Sequence, residues 1–463
     1  MTARVNKHET ATGSVLLVAV ISAFLTPFMG SSINLALPAI GSEFDVDTII
    51  LGWIATAYLL SSAIFLVPFG RLADIYGRKK IFLCGMITFT LASSLLPFSP
   101  DIRTLLGFRV LQGMGSSMIF ATGLAIVTSV FPPDQRGKAI GFTIASVYAG
   151  LSFGPFGGGL LTEYLGWRSI FFFTALMGVV GVYFVIRRIR GEWAEAAGEP
   201  FDLSGSLIYG VSLFFLIFGL SLLPVLPGFI FLFSGAAGIV VFVFYELGKS
   251  FPVMQLKLFR NNAVFAWSNL AALINYSATF AVAFIMSLYL QYIKDLSARD
   301  AGLVLVAQPV IMALISPLAG RLSDRIEPRL LATAGMAMTT AGLFLLVFVN
   351  SMSITCVIAT LILLGAGFGF FSSPNSNAIM SAVSPKYYGI ASGTMGTMRL
   401  LGQMFSMGLV MLILSLYMGK EPVILENIQY FLQSIQVVFL VFFFLCFFGI
   451  FASYARGKLH PGE

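Results

Sequence analysis

The sequence predicts an all-α polytopic membrane protein: two matching six-helix bundles with a pair of helices inserted between them, fourteen spans in all. Composition, the length of the apolar runs and an internal repeat carry that prediction. The chain has 463 residues, of which 58% are hydrophobic and only 10% charged. A soluble protein of that size could not keep so much apolar surface from water.

Apolar runs bounded by loops fall at about 15–39, 50–70, 81–99, 102–130, 139–162, 170–187, 204–224, 227–246, 263–290, 301–319, 331–349, 353–380, 389–417 and 434–455. Each is about as long as, or longer than, the roughly 20 residues that a helix needs to cross a bilayer. An open strand in lipid would leave its backbone unpaired, and the ten-residue alternation of an outer-membrane barrel is missing, so every run is expected to be helical. The run from Val15 continues without a small-residue cleavage site, which reads as a first spanning helix and not a removed signal peptide.

With both termini inside, twenty of the 27 Lys and Arg fall in cytoplasmic segments. Only Arg103, Arg168, Lys294, Arg299 and Lys420 fall outside, and Arg109 and Arg399 lie within spans. That asymmetry orients the chain in a cell membrane with cytoplasmic termini.

The repeat is read from glycines. Gly70 and Gly320 are 250 residues apart, while Gly113 and Gly365, Gly115 and Gly367, Gly137 and Gly389, and Gly141 and Gly393 are each 252 apart. A nearly constant offset means duplicated halves, as in parallel-repeat transporters whose site lies between the halves near the midplane. The expected domains are residues 1–187, a six-helix bundle; 188–262, an acidic linker with two unmatched helices; and 263–463, the second bundle.

Both halves carry a charged turn between their second and third helices. The first is Gly70-Arg-Leu-Ala-Asp74-Ile-Tyr-Gly77-Arg78-Lys79-Lys80, and the second is Gly320-Arg-Leu-Ser-Asp324-Arg325-Ile-Glu-Pro-Arg329. Glycine permits close backbone approach there, and Asp74 could meet a helix N-terminus or neighbouring guanidinium groups. The bland alternative for a single basic loop is a solvated orientation signal. The pair resembles the cytoplasmic loop motif of the major facilitator superfamily, which implies a gate built from Gly70, Asp74, Gly77, Arg78, Gly320, Asp324 and Arg325. The copies depart from the pattern: Ile75 stands where arginine is usual, and Glu327-Pro328 replaces the second glycine. The inserted pair narrows the resemblance to the fourteen-helix drug:proton antiporter branch.

On helix four, Arg109-Val-Leu-Gln112-Gly113-Met-Gly115 puts a guanidinium inside an apolar segment. Such a position costs about 2.5–3.5 kcal/mol at a helix centre unless a cavity or partner receives the charge. It resembles the family's helix-four arginine motif, which implies a part in proton transfer; the alternative is a clamp onto backbone carbonyls of adjacent helices. Arg399 lies near enough to the cytoplasmic end that snorkelling explains it about as well.

Helix five carries Gly141, Gly150, Gly154-Pro155 and Gly158-Gly159. Proline kinks a helix and small residues admit a close neighbour, so this face reads as a hinge or gasket. The spacing is similar to the superfamily's antiporter motif, found mostly in exporters. Helix one carries Asn34-Leu-Ala-Leu-Pro38, resembling the first-helix motif, but Met29 stands where that motif has aspartate.

All 20 Asp and Glu fall in loops, tails or helix ends, so a dicationic cargo would lack a counter-charge. The expected substrate is a small lipophilic compound, neutral, monocationic or anionic, with protons as coupling ion. Polar pocket candidates are Asn34, Tyr58, Gln112, Asn275, Gln308, Asn375, Asn377 and Arg399; for each amide an interhelical hydrogen bond is the competing role. No metal site or cofactor is expected, because Cys84, Cys356 and Cys446 lack paired spacing and His8 and His460 lie in the tails. Dispersed basic residues disfavour nucleic acid. No phosphate-binding loop or catalytic constellation marks an ATPase or other enzyme. The expected functions are efflux by alternating access or, alternatively, metabolite uptake or exchange; a sensor role finds no soluble domain to support it. A monomer in the lipid bilayer is the expected state.

Overall fold

The computed structural model describes residues 12–323, 325–383, 388–419 and 427–457. Among these are fourteen helices long and apolar enough to span a membrane, and no strand. In chain order they are α1 (Gly13–Phe44), α2 (Thr48–Tyr76), α3 (Arg78–Phe98), α4 (Ile102–Val130), α5 (Ala139–Leu165), α6 (Arg168–Arg188) and α7 (Leu203–Leu222). There follow α8 (Leu226–Leu247), α9 (Ala263–Ile293), α10 (Ala298–Ser323), α11 (Pro328–Leu346), α12 (Ile354–Ser381), α13 (Ile390–Met418) and α14 (Ile428–Ala455).

Short polar residues start several of these helices by accepting hydrogen bonds from otherwise unpaired N–H groups. Asp47 caps α2 through Ile50 N (2.8 Å) and Asp101 caps α4 through Thr104 N (2.8 Å). One expected run is interrupted. The segment anticipated as a single helix over 263–290 breaks after Thr279, resumes at Val282 and ends in a π-turn over Tyr289–Ile293. No proline causes the break; the Ser406 hydroxyl accepts the Ala281 N–H (3.0 Å) there.

Several helix contacts recur in both halves. Gly113 on α4 sits against the Tyr58 carbonyl of α2, and Gly365 on α12 sits against the Gln308 carbonyl of α10. Gly115 faces Gly85 and Phe89 of α3, as Gly367 faces Gly335 and Thr339 of α11. Met86 fills the space beside Gly181 and Met336 the space beside Gly449. A Cβ at any of these glycines would collide with its neighbour, so the residue type itself records the close approach.

The inserted pair lies on the flank of the bundle. α7 packs against both α2 and α13: Tyr209, Leu213 and Ile217 join one buried cluster with Leu60, Ala63, Leu66, Leu400, Met404 and Met411. α8 leans mainly on α7 and leaves large apolar side chains such as Phe233 and Phe244 exposed, the surface a lipid-facing helix presents.

Candidate functional site

The halves meet along α2 and α13, where Leu60, Ala63 and Leu66 share a buried cluster with Leu400 and Met404, and at one end of the molecule. The meeting end is opposite the 70–80 turn. There Gly302 of α10 lies on the Pro155 carbonyl of α5, and Gly159 of α5 lies on the Ala298 carbonyl of α10. Arg299 reaches the Tyr164 hydroxyl (3.3 Å) across the same crossing. On the other flank Gly52 of α2 abuts Met411 of α13, whose sulfur also accepts from Thr56 (3.8 Å). Between them the Ser287 hydroxyl of α9 donates to the Asn34 carbonyl of α1 (2.7 Å), and Gln291 reaches the Leu35 carbonyl (3.5 Å). On α5, Gly154 to Pro155 and Gly157 to Gly159 are buried at this crossing, whereas Phe142 and Ile144, nearer the basic end, are exposed.

The helix-five glycines split between two neighbours. Gly150, Gly154 and Gly158 admit Phe24, Ser31 and Ser32 of α1, while Gly159 and the Pro155 carbonyl face α10. Gly141 has open space around it and takes no part in the gasket.

Arg109 is fully buried. Its Nε donates to the Ile54 carbonyl (2.9 Å), Nη1 donates to Gln112 Oε1 (2.5 Å), and the guanidinium lies 4.6 Å from the Tyr58 ring centroid. Gln112 passes the network to Ser93 (2.8 Å), and the Tyr58 hydroxyl donates to Ser116 (2.7 Å). Arg109 Nη2 has no partner and no carboxylate is nearby, so in this conformation the residue clamps α2 to α4. Arg399 behaves differently. It lies 5.3 Å over the Phe120 ring of the opposite half and within electrostatic reach of Tyr58 and Tyr276. It bridges α13 and α4 instead of extending to the membrane surface.

The remaining pocket candidates are mostly ties between helices. Asn375 donates to the Ser268 carbonyl (3.1 Å) and accepts from Arg456 Nη1 (2.8 Å). Asn377 donates to Ser323 (3.0 Å), and Gln308 serves through the backbone carbonyl beneath Gly365. Asn34 likewise contributes its carbonyl. Asn275 is buried with neither amide atom paired to protein, just before the break in α9.

At the basic end the first charged turn is a closed latch. Arg78 donates to Asp74 (3.0 and 2.9 Å), Ser129 (2.9 Å) and Glu195 (2.8 Å). Arg71 pairs with Glu199, and Glu192 accepts from Lys79 N (2.8 Å). Gly77 has φ of 118°, and the Glu192 carboxyl occupies the space its Cβ would need. In the second copy Gly320 sits against Ser373 and Arg325 closes a backbone turn onto Leu322, while Asp324 lies outside the described residues.

Three features were passed over as loop charge in the sequence. The linker glutamates at 192, 195 and 199 have helical spacing beside a basic turn, a visible signal for a clasp. Arg456 is 2% exposed, with Nε donating to the Ser453 carbonyl (2.7 Å) and Nη2 to the Ser453 hydroxyl (2.5 Å). Burial pulls its guanidinium down to about 10, which leaves it charged at neutral pH. At the far end Glu43 accepts from Trp167 Nε1 (2.7 Å) and pairs with both terminal nitrogens of Arg168.

Fourteen apolar helices long enough to cross a membrane, with helix contacts that recur in the two halves, define a multi-pass membrane protein of transporter architecture. The family model described as Major Facilitator Superfamily matches residues 19–407 and 268–461, and the chain belongs to that family. It is similar to the riboflavin transporter RibZ of Clostridioides difficile, 32% identical over 83% of this chain and 84% of that protein. It is also 32% identical to the multidrug resistance protein Stp of Mycobacterium tuberculosis over 80% of this chain and 70% of that one. The cephamycin export protein CmcT of Amycolatopsis lactamdurans is 28% identical over 89% and 86% of the two chains. Among solved structures, an inward-facing bacterial homologue of the human lysosomal transporter Spinster matches with a TM-score of 0.67 at 16% identity, covering 97% of both chains. A D-xylose–proton symporter matches with a TM-score of 0.65 at 12% identity, covering 94% of this chain and 97% of that one. These two show the shared fold.

Proposed function

We propose that this protein exports small lipophilic compounds across the cell membrane in exchange for protons, as a monomer with both termini and the charged turns in the cytoplasm. The excess of Lys and Arg at the latch end supports that orientation. The observation carrying the reading is the α5–α10 crossing, where glycine on backbone carbonyl closes the two halves together at the end opposite the basic turn. Relatives named for multidrug resistance and cephamycin export support the direction.

Arg399, with Phe120, Tyr58 and Tyr276 around it and no carboxylate at mid-membrane depth among the described residues, favours a neutral, monocationic or anionic cargo over a dication. Everted vesicles test this directly. A lipophilic dye should accumulate when an inside-acid gradient is imposed and stop when an uncoupler collapses it.

Facilitated uptake or exchange of a metabolite is the second reading. It is favoured by the relative named a riboflavin transporter and by Met29, fully buried against Thr174 where the first-helix motif has aspartate. Dye movement indifferent to the gradient would support it against proton-coupled export.

A further inference from the structure

The base of the inserted pair holds two acidic side chains that the transport reading does not use. Asp202 precedes α7, and Glu246 lies at the end of α8, 1% exposed. The two carboxyl groups converge beside Gly205. Asp202 Oδ2 and Glu246 Oε1 both occupy the space that a Cβ at Gly205 would need, and both are buried with no donor supplied by the described protein. The other oxygens are satisfied: Asp202 Oδ1 accepts from Gly205 N (2.9 Å) and from the Tyr245 hydroxyl (3.3 Å), and Glu246 Oε2 accepts from Met254 N (3.2 Å).

Two carboxylates cannot hydrogen-bond each other, because each is acceptor-only when ionised. Like charges in one dry site do not both ionise, and one proton between them satisfies both orphan oxygens at once. A metal ion is a poor fit, since a hard cation wants six or more oxygens and these two atoms have no exposed surface for coordinated water. Charge balance agrees. Lys249, stacked 4.5 Å from the Tyr245 ring centroid, lies within electrostatic reach of both carboxyls and offsets the single negative charge that remains. The groups placed against the pair are thus Gly205 N from α7, Tyr245 from α8, and Lys249 with the Val253 and Met254 backbone N–H groups from the segment leading to α9.

We propose that Asp202 and Glu246 form a proton-binding site, one proton shared between the two carboxyls, which fastens the start of α7 to the end of α8 and to the connection into α9. The site lies on the flank outside the cleft, and the inference stands whether or not the chain exports anything. Loss of the proton leaves two facing anions and loosens that base.

Infrared spectroscopy of the full-length protein in lipid nanodiscs is the test, following the carbonyl stretch of a protonated carboxylic acid through a pH titration. Asp202→Asn keeps a residue suited to capping α7, and Glu246→Gln keeps the acceptor for Met254 N, while either amide donates where the proton sat. The wild type should show the protonated band at neutral pH, and each variant should lose it. The folded state would hold a proton that the unfolded state does not, so stability must fall as pH rises through the site's titration. The wild-type thermal midpoint should therefore drop over the same pH range in which the protonated band is lost, and both amide variants should lose that component of the drop. No protonated band in the wild type, or one retained at full intensity in both variants, overturns the proposal.

Discussion

The two crossings between the halves, α5 on α10 and α2 on α13, occupy matching places in the repeat but are built from different materials. Gly52 and Gly302 are 250 residues apart, and Gly159 and Met411 are 252 apart. At α5–α10 both partners are glycine against backbone carbonyl, and neither surface can yield without moving a helix. At α2–α13 one glycine is replaced by Met411, whose flexible thioether fills the gap. The second crossing is also covered by α7, which hydrogen-bonds to both halves through Tyr209 to the Ala63 carbonyl (3.2 Å) and Ser415 to the Leu223 carbonyl (2.9 Å). One flank is thus a rigid gasket, and the other a compliant joint that tolerates a helix spanning both moving parts.

Breaking the gasket should have the largest effect. Gly302→Leu must displace the Pro155 backbone, and overpacking of this kind costs about 1–3 kcal/mol. Because about 1.4 kcal/mol is a tenfold change in an equilibrium, the variant should favour the state open at this end by roughly tenfold or more. Raised thiol reactivity of a cysteine placed in the outer part of the cleft would register the shift. A smaller probe sharpens the contrast. Gly159→Ala meets the Ala298 backbone, whereas Gly52→Ala meets only the Met411 side chain, so the first should lower the thermal midpoint and the second should change it by less than half as much. The smallest effect belongs to the covering helix: Tyr209→Phe removes a single hydrogen bond, worth about 0.5–1.5 kcal/mol. Chemical denaturation in detergent micelles should show that loss without any change in thiol accessibility at the α5–α10 end.

Much of this architecture was legible because lipid imposes strict length and composition rules, and because glycine marks close backbone approach. The offsets linking Gly113 to Gly365 and Gly115 to Gly367 reappear as matching helix contacts. Other features depend on three-dimensional convergence that spacing does not encode. Arg456 and Asn375 are far apart in the chain, so their pairing leaves no pattern, and Arg456 looked like one more orienting charge. Arg109 fitted a motif, yet which carbonyl its guanidinium would meet depended on how α2 crosses α4. The linker acids were visible as acids; their closure onto Arg71, Arg78 and Lys79 required the chain to double back from the end of α6.

Paired distances between spin labels on α5 and α10, with the three native cysteines replaced, test the central claim most directly. One pair, at Glu163 and Asp300, reports the sealed end, and the other, at Ile144 and Leu318, reports the basic end; all four positions are exposed. Rocking of matched halves about a shared cleft predicts that substrate or a change of pH lengthens one distance as it shortens the other. Both distances moving in the same direction, or both staying fixed while transport proceeds, would contradict it.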